Sequence, residues 1–234
     1  MLSVNLWYTL RIMNMIGYKF LDESHLRRSA EELKMEIGES LPQFKKRCKD
    51  LGFECCDAKN VINRYKELTT TLIKADLNER KFNFSVFLQN LSGDFNKASI
   101  IRNCSCFCGQ EVILFGSKEY DRRGTCGAHS YLDFQHVKEV SELDGFFEQY
   151  DIVIAIDNIE NSIPIQTYEW DYNAKTLFVF GEESLGICPE ILDRCHTTLY
   201  IPQFGPLRSL NVSSASAIVF HEYTRKFYKD NVFI

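Results

Sequence analysis

The spacing of apolar residues changes along the chain, from helical periodicity in its first third to strand-length runs after it. Before residue 80, apolar residues recur three and four positions apart among charged ones, which is typical of amphipathic helices. The predicted helices are Ser24–Ile37, Leu41–Leu51 and a third that Asp57 caps and that contains Val61, Ile62, Tyr65, Leu68 and Leu72. We therefore predict a small, mainly helical N-terminal region over residues 1–80.

From Phe84 onward, short apolar runs alternate with helix-like stretches. The runs are Phe84–Leu88, Val112–Phe115, Ile152–Ile156, Leu177–Phe180 and Leu199–Ile201. The helix-like stretches are Asn96–Phe107, Ser141–Phe147, Pro189–Cys195 and Ser213–Tyr228. Near-continuous apolar strands that alternate with helices are typical of a parallel sheet with helices on both faces. The sequence thus predicts an α/β domain over residues 81–234, with a boundary near Asn78–Phe82.

The charge balance does not favour a general nucleic-acid binder, because the formal net charge is -5 and the sequence pI is about 5.6. Binding to RNA would therefore depend on local basic patches. The densest one is Lys45-Lys46-Arg47 with Lys49. It is either the solvated face of a helix or a phosphate contact.

The chain has nine cysteines, and their odd number does not suggest a disulfide framework. The apolar start of the chain lacks a leading positive charge and is interrupted by Arg11, so no secretion signal is predicted. We expect an intracellular, cytoplasmic protein without a membrane span. Cys104, Cys106 and Cys108 alternate rather than form a Cys-x-x-Cys pair, so buried thiols are favoured over a metal site.

Common signatures of α/β enzymes are missing from the sequence. It contains no Gly-x-Gly-x-x-Gly after a strand, no P-loop and no Gly-x-Ser-x-Gly turn, so the usual dinucleotide, nucleotide and hydrolase sites have no support. His129 is the only histidine in a glycine-rich turn. A single loop histidine of this kind is more often structural than catalytic.

Three segments at transitions from strand to helix are the candidates for chemistry. They are Asn96–Arg102, Phe180–Pro189, and Ile201-Pro202 with Ser209–Ala217. In an open α/β sheet, ligands bind outside the carboxyl ends of the strands, so such segments are suitably placed for a site. Turn chemistry or tight packing would explain each segment alone.

Together and in this order, the three segments resemble the motifs of the SpoU (TrmH-like) RNA 2′-O-methyltransferases of the SPOUT superfamily. The first motif matches at Asn96 and Arg102. The second matches at Phe180, Gly181, Glu183 and Gly186, whereas Glu182 and Ser184 stand where asparagine and glycine are usual. The third, which is the most specific, matches at Ile201, Pro202, Ser209, Leu210, Asn211, Val212, Ser213 and Ala215. The resemblance covers residues 84–228.

The resemblance implies a fold, a cofactor and an assembly. The parallel sheet would carry a C-terminal trefoil knot that holds S-adenosyl-L-methionine, and the protein would be a homodimer whose site is completed across the interface. The cofactor would rest on backbone groups around Ile156, Gly181, Ile201, Ser209 and Leu210. No metal is implied, and residues 1–80 would bind RNA or support the dimer.

The same resemblance implies the catalytic residues. Arg102 would point into the site beside the cofactor pocket, as an activated base or as a partner for a phosphate of the substrate. We favour the phosphate role because a guanidinium has a pKa above about 12. Asn96, Glu183 and Asn211 would shape the site. The predicted reaction is methylation of a ribose 2′-hydroxyl, in tRNA first and ribosomal RNA second. Because the second motif is altered, a catalytically silent RNA-binding or assembly protein on the same fold is the alternative.

Overall fold

The structure is a computed structural model that describes residues 46, 60–62, 65, 70–89 and 94–227. The chain divides into two compact units, residues 1–79 and 80–234. Helix α1, Thr70–Asn78, belongs to the first unit, where the buried Asp76 carboxylate accepts a hydrogen bond from the Tyr65 hydroxyl. The predicted helix Ser24–Ile37 lies outside the described residues, and of Leu41–Leu51 only Lys46 is described, in a helical conformation. The third predicted helix is wrong at Val61 and Ile62, which are not helical; the regular helix starts only at Thr70. The role of residues 1–80 stays a prediction.

The second unit is built on a seven-stranded sheet in which every pair of neighbouring strands is parallel. The strands are β1 Phe84–Gln89, β2 Glu111–Phe115, β3 Asp133–Val137, β4 Ile152–Ile156, β5 Ile163–Pro164, β6 Thr176–Phe180 and β7 Thr197–Tyr200. Their order across the sheet is β3-β2-β1-β6-β4-β7-β5. The predicted α/β class with a parallel sheet is therefore confirmed.

Helices cover both faces of the sheet, as the buried side chains of β1 show. The helices are α2 Asp94–Cys106, α3 Leu143–Phe147, α4 Pro189–Leu192 and α5 Val212–Thr224. Phe84, Val86 and Leu88 share one core with α2 and α5. Phe87 belongs to the other core, with α3 and α4. Because side chains alternate along a strand, these two cores lie on opposite faces, which explains why β1 is buried along its whole length and mainly apolar.

The sequence pattern located the strands at the centre of the sheet and missed two at its margins. Strands β1, β2, β4, β6 and β7 all overlap predicted runs. Strand β3 was not predicted because its first three residues are exposed and its composition is polar. Strand β5 was not predicted because it has two residues, which is too short for any periodicity. Helix α4 ends at Leu192 rather than at the predicted Cys195.

Three neighbouring strands bring their carboxyl ends to the same edge of the sheet. Strand β4 pairs in parallel with both β6 and β7, so the loops after Ile156, Phe180 and Tyr200 emerge side by side. None of the helices within the described residues is long and apolar enough to cross a membrane. The trefoil knot that the resemblance implies stays a prediction.

Candidate active site

A cavity of about 510 Å³ lies at the carboxyl ends of β4, β6 and β7, within the usual size range of small-molecule sites. Residues from three loops and from the start of α5 line it. The five residues predicted to hold a cofactor all line this cavity: Ile156, Gly181, Ile201, Ser209 and Leu210. The structure thus brings together residues more than fifty positions apart, while their contact with a cofactor stays a prediction.

The loop after β6 is folded tightly by its two glycines. The backbone N–H groups of Glu182 and Gly186 each donate to the other residue's carbonyl, at 3.0 and 2.9 Å. Gly186 has a φ of 73°, a conformation that glycine adopts without strain. A Cβ added at Gly181 would lie 2.3 Å from the carbonyl carbon of Gly186. Both glycines are therefore needed for the turn that forms one wall of the cavity.

Two polar residues that sequence reasoning missed hold this loop in place. Asp157, directly after β4, accepts hydrogen bonds through Oδ2 from the Ile187 N–H at 3.2 Å and through Oδ1 from the Asn158 N–H at 2.7 Å. Gln89, at the end of β1, accepts from the Cys188 N–H at 2.8 Å. Their signal in the sequence is a polar side chain that ends or follows an apolar strand.

Three of the four predicted catalytic residues form one hydrogen-bonded chain. Asn96 Nδ2 donates to Glu183 Oε1 at 2.7 Å, and Asn96 Oδ1 accepts from Asn211 Nδ2 at 3.0 Å. Asn211 also caps α5, because its Oδ1 accepts from the N–H groups of Ser213 and Ser214. The chain links the starts of α2 and α5 to the loop after β6. It gives the Glu183 carboxylate a fixed orientation.

Arg102 is the exception among the predicted residues. Its side chain is exposed, does not line the cavity, and donates through Nη1 to Cys126 Sγ at 3.4 Å. The place of Arg102 in the active site therefore stays a prediction, because within a single chain it does not line the pocket. The reason is helical geometry, since six residues of an α-helix place Arg102 ~9 Å beyond Asn96 and about 120° around the axis.

The cavity wall carries more negative than positive charge. Asp157, Glu182 and Glu183 contribute carboxylates, and Arg208 contributes the one guanidinium among the described lining residues. Ser184, which replaces a usual glycine, donates through Oγ to Glu182 Oε1 at 3.1 Å. The two departures from the second motif therefore contact each other, and the site suits a ligand that carries positive charge.

The side chain of His129 is held by a neighbouring hydroxyl, away from the cavity wall. Thr125 donates its hydroxyl hydrogen to the Arg122 carbonyl at 2.8 Å, so its oxygen accepts from Nδ1 of His129 at 2.6 Å. Partial burial and the nearby Arg122 lower the pKa of His129, which keeps the imidazole neutral at pH 7. These contacts agree with a structural role for His129.

None of the six cysteines of the described domain forms a disulfide; Cys104 is buried, whereas Cys106 and Cys126 are exposed, so the expected burial holds for only part of the Cys104, Cys106 and Cys108 group. Burial raises the pKa of Cys104 far above its ordinary value and that of Cys195 to about 12, so both thiols stay protonated at neutral pH. Within the part of the chain that the structure describes, no group of three or more His, Cys, Asp or Glu side chains could hold a metal ion.

Comparison with known proteins identifies the family. The family model described as the SpoU rRNA Methylase family matches residues 83–221, a range that contains the cavity and all three motifs. The chain belongs to the SpoU family. The predicted resemblance is thereby confirmed, and the match begins just before β1.

The chain is similar to proteins whose names describe RNA modification. The chain is 28% identical over 155 residues to a tRNA (guanosine(18)-2′-O)-methyltransferase of Aquifex aeolicus, covering 64% of this chain and 72% of that protein. The crystal structure of the A. aeolicus TrmH/SpoU tRNA modifying enzyme superposes with a TM-score of 0.60 at 26% identity, over 68% of this chain and 83% of that one. An AdoMet-bound rRNA methyltransferase from Sinorhizobium meliloti shares the fold, with a TM-score of 0.56 at 21% identity over 64% and 60% of the two chains.

Proposed function

We propose that this SpoU-family chain transfers the methyl group of S-adenosylmethionine to a ribose 2′-hydroxyl of RNA. The observation that carries the proposal is that the second and third family motifs line one cavity at the strand ends, and that Asn96 of the first motif is hydrogen-bonded to a residue of each. The substrate we propose first is tRNA, since the A. aeolicus relative acts on tRNA. Ribosomal RNA is second.

The cavity fits S-adenosylmethionine in size and in charge. Its volume of about 510 Å³ is in the range of sites for ligands of that size. Ile156, Gly181, Ile201, Ser209 and Leu210 would hold the cofactor, mostly through backbone groups beside the closely folded glycine loop. The wall carboxylates complement the positive sulfonium and ammonium groups. When bound, the cofactor supplies an electrophilic methyl group.

The residues of the chain itself must position the ribose, whose hydroxyl releases its proton as the methyl group is transferred and S-adenosylhomocysteine leaves. A ribose hydroxyl is a weak nucleophile unless a base removes its proton. Glu183 is the carboxylate that Asn96 and Asn211 orient at the cavity wall, and it would hold the nucleotide in line with the methyl group. Arg102 would grip a phosphate with its planar fork.

The exposed position of Arg102 outside its own cavity favours a site completed by a second copy of the chain. In such a homodimer, Arg102 of one copy would face the cavity of the other. The homodimer, like the cytoplasmic location, stays a prediction.

Two measurements test the proposal. Isothermal titration with S-adenosylmethionine and with S-adenosylhomocysteine should show binding. Incubation with methyl-labelled cofactor and separate pools of unmodified tRNA and rRNA should place the label on a 2′-O-methylated nucleoside after digestion. If the protein binds cofactor and RNA but transfers no methyl group to either pool, the catalytically silent alternative would replace the proposal.

A further inference from the structure

The loop between β7 and α5 carries an unusual group of exposed apolar side chains. Phe204 is 100% exposed and Leu207 is 77% exposed. Leu185, on the neighbouring loop after β6, is 82% exposed and lines the cavity. Single apolar residues at a surface are common, but three of them on two loops beside one cavity indicate a binding surface.

The loop that carries Phe204 is fixed at both of its ends. Ile201 and Gln203 line the cavity at one end. At the other end the Arg208 carbonyl accepts a hydrogen bond from Asn158 Nδ2 at 3.3 Å, and Asn211 caps α5. Pro202 and Pro206 restrict the backbone between these anchors. The backbone on either side of Phe204 is therefore anchored at the cavity, next to the lining residue Gln203, while the ring itself is exposed and free to meet a ligand.

Resting on the proposed function, we propose that Phe204 stacks on the base of the nucleotide whose ribose is methylated. Every base has a flat apolar face that stacks on an aromatic ring. A 2′-hydroxyl reaches a methyl group inside the cavity only if its nucleotide stands at the mouth, and its base then lies against the loops that form the mouth. Leu185 and Leu207 would flank that base.

The charge beside Phe204 supports RNA as the occupant. Arg208, four residues further along the same loop, is exposed and lines the cavity. A guanidinium is well suited to a phosphate of the same or a neighbouring nucleotide. A loop that presents an aromatic ring together with an arginine matches the two chemical features of a nucleotide, the base and the phosphate. Phe204 would be a positioning residue that acts by orienting the ribose, without contact with the reacting atoms.

The test compares Phe204→Ala and Phe204→Trp with the wild type. We expect Phe204→Ala to lower kcat/KM for unmodified tRNA by about 10-fold to 100-fold, the range for loss of one base–aromatic stack. Phe204→Trp should keep most of the rate because it restores a larger stacking surface. Cofactor binding by titration should be unchanged in both variants. Phe134→Ala is the matched control, because Phe134 is a partly exposed ring on β3, at the opposite edge of the sheet from β7 and β5.

A second measurement decides whether the partner is the base itself. Once the methylated nucleotide is mapped, an abasic residue that retains the 2′-hydroxyl replaces it in the tRNA. The abasic substrate should slow the wild type by at least the factor seen for Phe204→Ala, and it should slow Phe204→Ala by a clearly smaller factor than it slows the wild type. If the abasic substrate instead slows the wild type and Phe204→Ala by the same factor, the two losses are independent and the stacking proposal is overturned.

Two other outcomes separate this inference from the proposed function. If the wild type methylates RNA and Phe204→Ala does so at the wild-type rate, stacking is wrong and the proposed function stands. If the wild type transfers no methyl group to any RNA, the proposed function itself fails. Light scattering covers the other occupant of the surface: a lower mass for Phe204→Ala than for the wild type would assign Phe204 to a contact between two copies of the chain and overturn the inference.

Discussion

At the scale of single residues, Asn96 makes the contacts that join the predicted motifs. Its amide donates to Glu183 and accepts from Asn211, so one short side chain links the first motif to the second and third. An amide is suited to this position because it carries a donor and an acceptor at once. A carboxylate there could not donate to Glu183, and it would repel it.

Replacing Asn96 therefore tests the hydrogen-bonded chain. In Asn96→Ala, Glu183 and Asn211 lose these partners, and we expect methyl transfer to fall at least 10-fold, since hydrogen bonds to charged groups contribute about 1.5–3 kcal/mol. Thermal unfolding should change little because Asn96 is partly exposed. Asn173→Ala, an exposed asparagine whose observed contacts use its backbone, should retain the wild-type rate. Normal turnover in Asn96→Ala would remove the chain from the mechanism.

Arg102 tests the mechanism, because lysine keeps its charge and loses the planar fork. If Arg102 grips a phosphate in the transition state, Arg102→Lys should lose two or three decades of single-turnover rate, roughly 3–4 kcal/mol, while cofactor binding survives. A surface contact alone would cost at most about 1 kcal/mol of stability. Arg225→Lys, which keeps an exposed cation beside Glu222, is the control. A near-normal rate in Arg102→Lys would exclude Arg102 from catalysis.

At the scale of elements, the loops at the ends of β4, β6 and β7 depend on one another. The loop after β6 folds on its own glycines, and Asp157 after β4 accepts from its Ile187 N–H. The loop after β7 is bound to Asn158. A substitution that moves one of these loops should therefore also displace the other two and change the shape of the cavity.

Gly181→Ala is the sharpest test of this dependence. The new Cβ would lie 2.3–2.5 Å from backbone atoms of Gly186 and Ile187, so the loop must move. We expect cofactor affinity to fall at least 10-fold, about 1.4 kcal/mol, and stability to fall by about 1–3 kcal/mol. Gly145→Ala, inside α3 with nothing within 4 Å of the added Cβ, should leave binding intact and stabilise slightly. Unchanged affinity in Gly181→Ala would place the cofactor elsewhere.

At the scale of the whole molecule, the separation of Arg102 from the cavity of its own chain leads to a prediction about assembly. At micromolar concentration, we expect light scattering to give the mass of a dimer, which is twice the chain mass of 27.2 kDa. If Arg102 serves the other copy, mixing inactive Arg102→Lys and Glu183→Gln proteins should restore activity. One site of each mixed dimer would then be intact, which gives about a quarter of the wild-type rate after equal mixing.

The same mixture also tests the arrangement in which Arg102 acts in the cavity of its own chain. If Arg102 serves the cavity of its own chain, both sites of every mixed dimer carry one defect, and mixing restores nothing. A monomer mass at micromolar concentration would contradict the assembly directly.

The amino-acid sequence alone predicts the elements that are buried on every side, because their apolar pattern is the same whatever they pack against. Strands β1, β4 and β6 are largely buried on both faces and mainly apolar, so their pattern does not depend on topology. The predicted bounds of β4, Ile152–Ile156, are the observed ones. The motif residues likewise located the cavity, because parallel strands bring their carboxyl ends together. Features that depend on distant neighbours became visible only in the folded chain: the pairing of the exposed β3, the contacts of Gln89 and Asp157 with the glycine loop, and which side of α2 faces the cavity. These follow from how distant segments approach each other, which no local pattern of residues encodes.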